Sequence, residues 1–261
     1  MKLTLITGAT GGLGKALARL YAQDGNNLLL SGTSEEKLSA MKAEMEGEFP
    51  SLTIDVFRAD LSNPAECEAL FSYAQEKGYF VNHLVNNAGF ADCTDFQEMD
   101  VQRQLDMLQV DCAALLYFSR VFLTDMLQNG EGTILNIGSI SSFVPGPYMC
   151  TYHACKSFVL NLSEGIAHEL RHTAVKVLTL CPGPFDSGFF STAGNSHTCK
   201  KLKPITAEKV ALYGYKKLKK GKRVAIVGFK NKLLLFCNRF LPRKWSAAIS
   251  ANMLKSRKLQ K

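Results

Sequence analysis

The chain has 261 residues, 46% of them hydrophobic and 21% charged, which is enough for one large α/β domain with a buried core and too few for two. No apolar run approaches the ~20 residues that a membrane-spanning helix needs, and Met1 and Lys2 lead straight into a strand pattern, so neither an anchor nor a signal peptide is expected. The eight cysteines lack CxxC and zinc-ligand spacing and predict reduced thiols in a cytoplasmic protein, although Cys150 and Cys155 have a reactive alternative because they flank Tyr152.

The net charge of +8 is unevenly distributed. Residues 200–261 carry 19 lysines and arginines and a single acid, Glu208, whereas the rest of the chain carries 12 lysines and arginines and 22 acids. The last quarter of the chain is therefore a basic segment attached to a mildly acidic body.

A short apolar run at 2–7 is followed at once by the glycine-rich stretch GATGGLG at 8–14, and then by leucines at helical spacing. A strand, a glycine turn and a helix N-terminus form an anion site, because unpaired backbone amides and the helix dipole face the anion. Glycines also let the backbone approach a pyrophosphate closely. A glycine-rich loop is often only a turn, but this strand-to-helix context favours a nucleotide.

The second strand pattern ends in Gly32, Thr33 and Ser34, without the acid that would hold the ribose 2′-hydroxyl of NAD. Small and hydroxyl residues leave room for a 2′-phosphate, and Lys15 or Lys37 could supply the charge. The sequence therefore predicts NADP. The plainer interpretation is that Thr33 and Ser34 cap the next helix, and both interpretations can hold together.

Strand and helix patterns alternate along the chain with short links. Strands are predicted at 2–7, 27–31, 52–59, 81–85, 132–138, 175–181 and 223–227, and the longest helices at 35–48, 101–128, 148–172 and 206–220. This alternation predicts a single-domain α/β fold, a doubly wound parallel sheet of about seven strands flanked by helices. Residues 185–203 show little periodicity and are predicted to form a mobile lid.

In such a sheet the ligand lies at the carboxyl ends of the strands, where the glycine loop, Asp60, NNAG at 86–89 and Ser139 all fall. Tyr152 and Lys156 are four residues apart and share one helix face. An ammonium group close to a phenol favours the phenolate and pulls its pKa down toward the working range. These residues predict proton transfer to or from a substrate oxygen.

The motifs resemble those of the short-chain dehydrogenase/reductase family, in a subgroup that includes 17β-hydroxysteroid and long-chain ketoacyl reductases. The resemblance rests on TGATGGLG at 7–14, ADL at 59–61, NNAG at 86–89, Ser139, YHACK at 152–156 and PGPFDS at 182–187. It implies a Rossmann fold and an NADP(H)-dependent oxidoreductase that interconverts a carbonyl and a secondary alcohol.

By this resemblance Tyr152 exchanges the proton, Lys156 lowers its pKa and holds the nicotinamide ribose, and Ser139 positions the carbonyl. The expected substrate is a small lipophilic molecule, a steroid-like or fatty-acyl ketone. The cofactor-binding residues that the resemblance implies are Gly8, Thr10, Gly11, Gly12, Leu13, Gly14, Thr33, Asp60, Leu61, Asn87, Ala88, Gly89, Tyr152, Lys156, Pro182, Gly183 and Ser187.

One position departs from the family pattern, because Asp111 stands where the family usually has an asparagine that belongs to the catalytic group. If the proton relay uses a backbone carbonyl, the change is tolerable; if it uses the side-chain amide, activity is lowered. The alternative function is therefore a catalytically weak nucleotide-binding scaffold or redox sensor.

A third hypothesis is a zinc peptidase, since His168 to His172 spells HELRH and matches HExxH. The motif closes the helix that begins near Tyr152, about four turns from that residue, and lacks a third ligand. We expect no metal site there.

The long helical patterns carry apolar stripes such as Leu105, Leu108, Cys112 and Leu115, which predict a helix-paired homodimer or homotetramer unless they all lie on the sheet. The family resemblance implies the same kind of assembly.

We divide the chain into a nucleotide-binding catalytic domain at 1–228 and a basic amphipathic extension at 229–261. Apolar residues recur at helical spacing on both sides of Pro242, with cations beside them. They either cover the substrate pocket, with the cations merely solvated, or they lie on an anionic membrane as a peripheral contact. Nucleic acid is not an expected partner, because stacking aromatics and a groove-reading motif are lacking.

Overall fold

The computed structural model describes residues 1–186 and 205–258. Seven of its strands form one sheet: β1 (Lys2–Ile6), β2 (Asn27–Gly32), β3 (Ile54–Arg58), β4 (Phe80–Asn86), β5 (Thr133–Ile137), β6 (Lys176–Cys181) and β9 (Val224–Ile226). Their order in the sheet is β3-β2-β1-β4-β5-β6-β9, and every neighbouring pair is parallel. Two short strands, β7 (Phe185–Asp186) and β8 (Ile205–Thr206), pair separately. The predicted doubly wound parallel sheet is confirmed.

The helices on the two faces of the sheet are α1 (Gly12–Gln23), α2 (Glu35–Glu48), α3 (Pro64–Glu76), α4 (Val101–Leu108), α5 (Leu115–Gln128), α6 (Cys150–Glu169) and α7 (Ala207–Lys219). Two more helices, α8 (Phe229–Asn238) and α9 (Arg243–Lys258), follow the last strand. Side-chain caps fix several starts: Ser34 accepts from the Lys37 amide, and Asn63 accepts from the Ala65 amide just before Pro64. The capping role proposed for Ser34 is thus confirmed.

Two apolar clusters cover the two faces of the sheet. One joins α1, α2 and α7 to the sheet and includes Leu17, fully buried. The other joins α3, α5 and the end of α6, and includes Phe118 and Phe122. Full burial of one such side chain contributes about 1.5–3 kcal/mol, so most of the fold's stability lies in these two layers.

The helix predicted over 101–128 is interrupted by a π-helical turn, Gln109–Ala114. By length and composition alone, Val101–Gln128 is apolar enough to cross a membrane, although polar residues are interspersed in it and no uninterrupted apolar run results. In the structure, 44% of its most apolar stretch is buried within the protein.

The helix predicted over 148–172 is shorter at both ends. Tyr148 has a φ of 68°, a left-handed conformation that no α-helix contains, and α6 therefore begins at Cys150. Its last regular residue is Glu169, and a 3₁₀ turn, Leu170–His172, follows.

A chain of buried polar side chains ties the centre of the sheet to α6. The side-chain amide of Asn86 donates to Asn136 Oδ1 at 2.8 Å, and the side-chain amide of Asn136 donates to Ser163 Oγ at 2.8 Å. Ser163 in turn donates to the Val159 carbonyl. Because each buried donor finds a partner, this chain sets the position of α6 against β4 and β5 rather than destabilising the core.

Candidate active site

The loop between β1 and α1 is shaped by two close backbone approaches. Gly8 has a φ of +59°, and a Cβ there would lie 2.9 Å from Ala88 Cα. A Cβ on Gly14 would lie 2.5 Å from the Gly8 carbonyl oxygen. The loop accepts no side chain at either position, so its backbone stays open at the N-terminus of α1, as a pyrophosphate-binding loop requires.

The end of β4 holds this loop in place. The side-chain amide of Asn87 donates to the carbonyls of Thr7 and Gly8 at 3.0 and 2.9 Å. In return, Thr7 Oγ1 accepts from the backbone amides of Asn87 and Ala88. The side chain of Asn87 thus positions the loop as well as lining the cleft beside it.

These elements line one cleft of about 770 Å³ at the carboxyl ends of the strands. The predicted cofactor residues among its walls are Gly8, Thr10, Gly11, Gly12, Leu13, Gly14, Thr33, Asp60, Leu61, Asn87, Ala88, Gly89, Tyr152, Lys156 and Pro182. Gly183 lies next to the Asn231 side chain of α8 instead. Ser187 and nearly all of the predicted lid lie outside the described residues.

The second strand ends at the cleft without an acid, because Gly32 and Thr33 line the wall there. A Cβ on Gly32 would have Thr10 Oγ1 as its nearest neighbour at 3.4 Å, so it would fit there in ordinary van der Waals contact. Lys15 and Lys37 are both exposed, and neither is among the described residues that line the cleft.

Arg103 is a cleft residue that the sequence motifs did not indicate. It pairs with Asp92 at 2.5 Å, and its guanidinium lies 5.1 Å from the centre of the Phe90 ring, which also lines the cleft. No local pattern marks these residues, because a loop brings them together.

Tyr152 and Lys156 line the cleft, Ser139 lies just beyond the end of β5, and all three are more than nine-tenths buried. Ser139 is hydrogen-bonded to the Tyr152 side chain. The Lys156 ammonium lies 5.6 Å from the Tyr152 ring centre and donates to the Ile137 carbonyl at 3.1 Å. The strand end and one helix face therefore converge as the spacing predicted.

The pKa of Tyr152 is shifted in the direction opposite to the prediction. Burial raises it, and the carboxylate of Asp111 adds to the rise. The ammonium of Lys156 lowers it, as predicted, and the bond to Ser139 lowers it too, but burial outweighs both. The prediction was wrong in its net sign because it counted the neighbouring cation and not the loss of solvent.

Asp111 forms a direct ion pair with Lys156, with 2.7 Å between Oδ1 and Nζ, and both side chains are almost wholly buried. Its second oxygen accepts from the Phe90 amide at 3.0 Å. The π-helical turn places this carboxylate, since Asp111 lies at its centre, and such turns occur frequently at functional sites.

Each member of the pair favours the charged form of the other, but only for Lys156 does this outweigh burial. Burial alone would lower the pKa of Lys156, but Asp111 and Tyr152 outweigh it and the pKa is raised. Burial raises the pKa of Asp111, against the ammonium and the Phe90 amide. Removing one member of a buried pair typically costs about 3–5 kcal/mol, because the other charge is left uncompensated.

The family model for short chain dehydrogenases matches residues 2–197, which is most of the chain. The chain belongs to the short-chain dehydrogenase family. An uncharacterized oxidoreductase of Bacillus subtilis, YvrD, is 34% identical over 183 residues, which cover 70% of this chain and 68% of that protein.

Two solved structures share both the fold and part of the sequence. A short-chain dehydrogenase from Sphingobium yanoikuyae in complex with NADPH has a TM-score of 0.83 and 25% identity, covering 92% of this chain and 93% of its own. An alcohol dehydrogenase from the archaeon Thermococcus sibiricus, complexed with 5-hydroxy-NADP, has a TM-score of 0.75 and 26% identity, covering 87% of this chain and 95% of its own.

The cysteines near the site of this short-chain dehydrogenase differ in exposure. Cys155 is buried, and a hydrogen bond with Cys112, together with burial, raises its pKa, so its thiol is not activated. Cys150 is exposed on the first turn of α6. For Cys155 the structure favours the packing interpretation over the reactive one.

The HExxH match falls across the end of α6. His168 lies in its last turn and His172 in the 3₁₀ turn beyond, so the two do not share one regular helix face. Within the described ranges 1–186 and 205–258, no group of three metal-binding side chains occurs.

Gly14→Ala should weaken binding of the dinucleotide at least about tenfold, because its Cβ would collide with the Gly8 carbonyl and displace the phosphate loop. Gly47→Ala is the matched control, since Gly47 has no atom within 4 Å of its would-be Cβ. Fluorescence titration with NADPH and NADH measures the affinities, and thermal unfolding checks the fold. Unchanged affinity in Gly14→Ala would contradict the assignment of this loop.

Proposed function

We propose that this short-chain dehydrogenase is an NADP(H)-dependent enzyme that interconverts a carbonyl and a secondary alcohol on a lipophilic substrate. The observation that carries the proposal is that Tyr152 and Lys156 line the same cleft as the glycine loop, with Ser139 hydrogen-bonded to Tyr152. A proton donor, a hydroxyl and a buried cation therefore stand where a reacting carbonyl can meet a dinucleotide.

Each of the three side chains has a separate role in the reaction at the substrate oxygen. The Ser139 hydroxyl donates to the carbonyl and holds it beside Tyr152, and the Tyr152 phenol gives its proton to the oxygen as the carbonyl is reduced. Lys156 stabilises the phenolate that remains, since an ammonium favours the charged form of its neighbour. When bound, NADPH would supply the hydride to the carbonyl carbon.

Asp111 acts as a positioning residue in this scheme. Its ion pair fixes the Lys156 ammonium, and its negative charge works against the phenolate of Tyr152. The balance between these two effects decides how far Asp111, in place of the family's asparagine, slows the reaction. An ion pair that keeps the Lys156 ammonium from acting on the phenol would favour the alternative function, a catalytically weak nucleotide-binding scaffold or redox sensor.

A buried apolar cluster that includes Tyr152 supports a lipophilic substrate. Ala91, Cys93 and Met149 belong to this cluster, and Leu254 of α9 joins it from the C-terminal segment. Apolar surroundings of this kind suit alkyl or ring carbons rather than charged groups. We propose a steroid-like or fatty-acyl ketone as the substrate class.

We propose a homodimer or homotetramer, formed through α4, α5 and α6. Of the predicted stripe, Cys112 and Leu115 face inward, whereas Leu105 and Leu108 are exposed beside Leu116 and Phe158. An exposed patch of this kind is typical of a contact between copies. A monomeric mass in solution at micromolar concentration would contradict it.

We place the enzyme in the cytoplasm, in peripheral contact with an anionic membrane.

Tyr152→Phe should lower the rate of ketone reduction by roughly 10²–10⁴-fold, because the proton donor is lost. Cofactor affinity should change little, since only one oxygen is removed, whereas Lys156→Ala should reduce both rate and affinity. Tyr213→Phe on α7 is the matched control. NADPH consumption with a panel of ketones is the measurement. A wild-type rate in Tyr152→Phe would refute the role of this phenol.

The wild-type enzyme should bind NADPH more tightly than NADH, and Gly32→Asp should reverse that preference by about tenfold or more. A carboxylate at this strand end repels the 2′-phosphate and can accept from the ribose 2′-hydroxyl of NADH. Gly32→Asn separates charge from size, because it adds the same volume without the charge. Equal affinities for the two cofactors in the wild type would rule the NADP assignment out.

Asp111→Asn should move the pH midpoint of alcohol oxidation to lower pH. The phenolate is the base in that direction, and removing a carboxylate that raises the pKa of Tyr152 lets the phenolate form at lower pH. Asp125→Asn, on the exposed side of α5, controls for the general loss of a negative charge. An unmoved midpoint would contradict this account. Activity that appears only in Asp111→Asn would favour the weak scaffold instead.

A further inference from the structure

The outer faces of α8 and α9 concentrate the exposed apolar side chains of the protein. Eighteen large hydrophobic residues are exposed in the part of the chain that the structure describes, and eight of them lie between residues 229 and 253. These eight are Phe229, Leu233, Leu234, Phe236, Phe240, Trp245, Ile249 and Met253. Phe229 and Phe240 are 79% and 75% exposed, which is far more than packing against the domain would leave.

Inward contacts fix which side of each helix faces solvent. Leu235 of α8 and Leu254 of α9 are buried, and Ser246 Oγ donates to Asn238 Oδ1 at 2.7 Å, which joins the two helices. Leu235 and Leu254 therefore face the protein, whereas the eight outward residues do not.

The outward residues form stripes at helical spacing. On α8, Phe229, Leu233 and Phe236 follow one another four and three residues apart, and Phe236 stacks edge to face on Phe240 just beyond the helix end. On α9, Trp245 and Ile249 are four residues apart, and Met253 is four further. Each stripe is the apolar face of an amphipathic helix.

Cations accompany both stripes. Lys230, Lys232, Arg239, Arg243 and Lys244 are all exposed, and the chain has no acid after Glu208. The two helices therefore carry exposed apolar side chains and exposed positive charge together.

We propose that this surface, α8 and α9 with their outward apolar stripes and five cations, docks on an anionic lipid bilayer. Apolar side chains that enter the acyl boundary and cations that meet the headgroup phosphates are the two requirements for an interfacial helix. Charge argues against a second copy as the occupant, because two such surfaces facing each other would oppose cation to cation. A nucleic acid would satisfy the cations and leave the large apolar side chains in water.

The docked face and a residue of the apolar cluster around Tyr152 belong to the same helix, α9. Met253 points outward on α9, and its neighbour Leu254 is buried in the cluster that contains Tyr152 and Met149. A lipophilic ketone dissolved in the bilayer would thus be separated from the site by one helix. This last step rests on the proposed function, whereas the docking itself does not.

The chain offers its own reporter, because Trp245 is its only tryptophan and lies 57% exposed on the outward stripe. The unmodified protein is titrated with phosphatidylcholine vesicles and with vesicles of mixed phosphatidylcholine and phosphatidylglycerol. On the anionic vesicles we expect co-sedimentation, a blue shift of the tryptophan emission and its quenching by brominated acyl chains. High salt should weaken binding, since the attraction to headgroups is screened.

Two variant pairs separate the apolar and the charged contributions. Phe236→Ser should weaken vesicle binding, whereas Leu212→Ser, at an exposed leucine of α7, should leave it unchanged. Arg243→Glu combined with Lys244→Glu should reduce binding about tenfold or more, and Lys77→Glu at the end of α3 is its control. Retained reduction of a water-soluble ketone shows that the fold and the catalytic site are intact, so loss of docking is distinguishable from loss of the proposed activity.

Three outcomes would overturn the proposal. The first is no binding to anionic vesicles at low salt, and the second is equal binding to neutral and anionic vesicles. The third is a tryptophan shift that depends on protein concentration without any lipid, which would assign the surface to a second copy of the chain. Binding to anionic vesicles with a buried, bromine-quenched tryptophan supports it.

Discussion

Parallel pairing throughout the central sheet is the constraint on which the site depends. Because all seven strands run the same way, every loop that follows a strand leaves from the same edge, and each return must be made by a crossover on one of the two faces. The glycine loop after β1, the Asn87 turn after β4 and Ser139 after β5 thus become neighbours although they are far apart in sequence. The bonds from Asn87 to the carbonyls of Thr7 and Gly8 then hold two of these loops together as one unit.

The features that could be predicted from the sequence are those with a local cause. The strand–glycine–helix order produced the loop at residues 8–14, and the four-residue spacing of Tyr152 and Lys156 placed both on one face of α6. The start of that helix could not be predicted, because it depends on the left-handed backbone of Tyr148. The net pKa shift of Tyr152 was missed for a related reason, since burial depends on everything that packs around the residue. Helical periodicity likewise predicted α8 and α9 but not which side of each helix faces outward.

The ion pair between Lys156 and Asp111 shows how one residue type can alter a site without moving it. A neutral amide at position 111 would leave the ammonium free to act on the phenol alone, whereas the carboxylate shares that ammonium and opposes the phenolate. Desolvation of both charges is costly, and the short contact offsets that cost only while both partners are present. The Lys156 ammonium is therefore held in place before any ligand arrives, at the expense of some of its influence on Tyr152.

The π-helical turn at residues 109–114 has a consequence for how the chain can vary in length. Such a turn accommodates one more residue than the α-helical path between the same two ends, and Asp111, which pairs with Lys156, lies within it. A single-residue deletion inside the turn would therefore restore regular hydrogen bonding and leave the helices on either side in place. The same deletion at the start of α5 would instead rotate one side of the helix against the other by roughly 100° about the helix axis. Phe118 and Phe122, both fully buried, would then turn away from the sheet. The chain can thus lose a residue at the turn without disturbing the packing that α5 makes with the sheet.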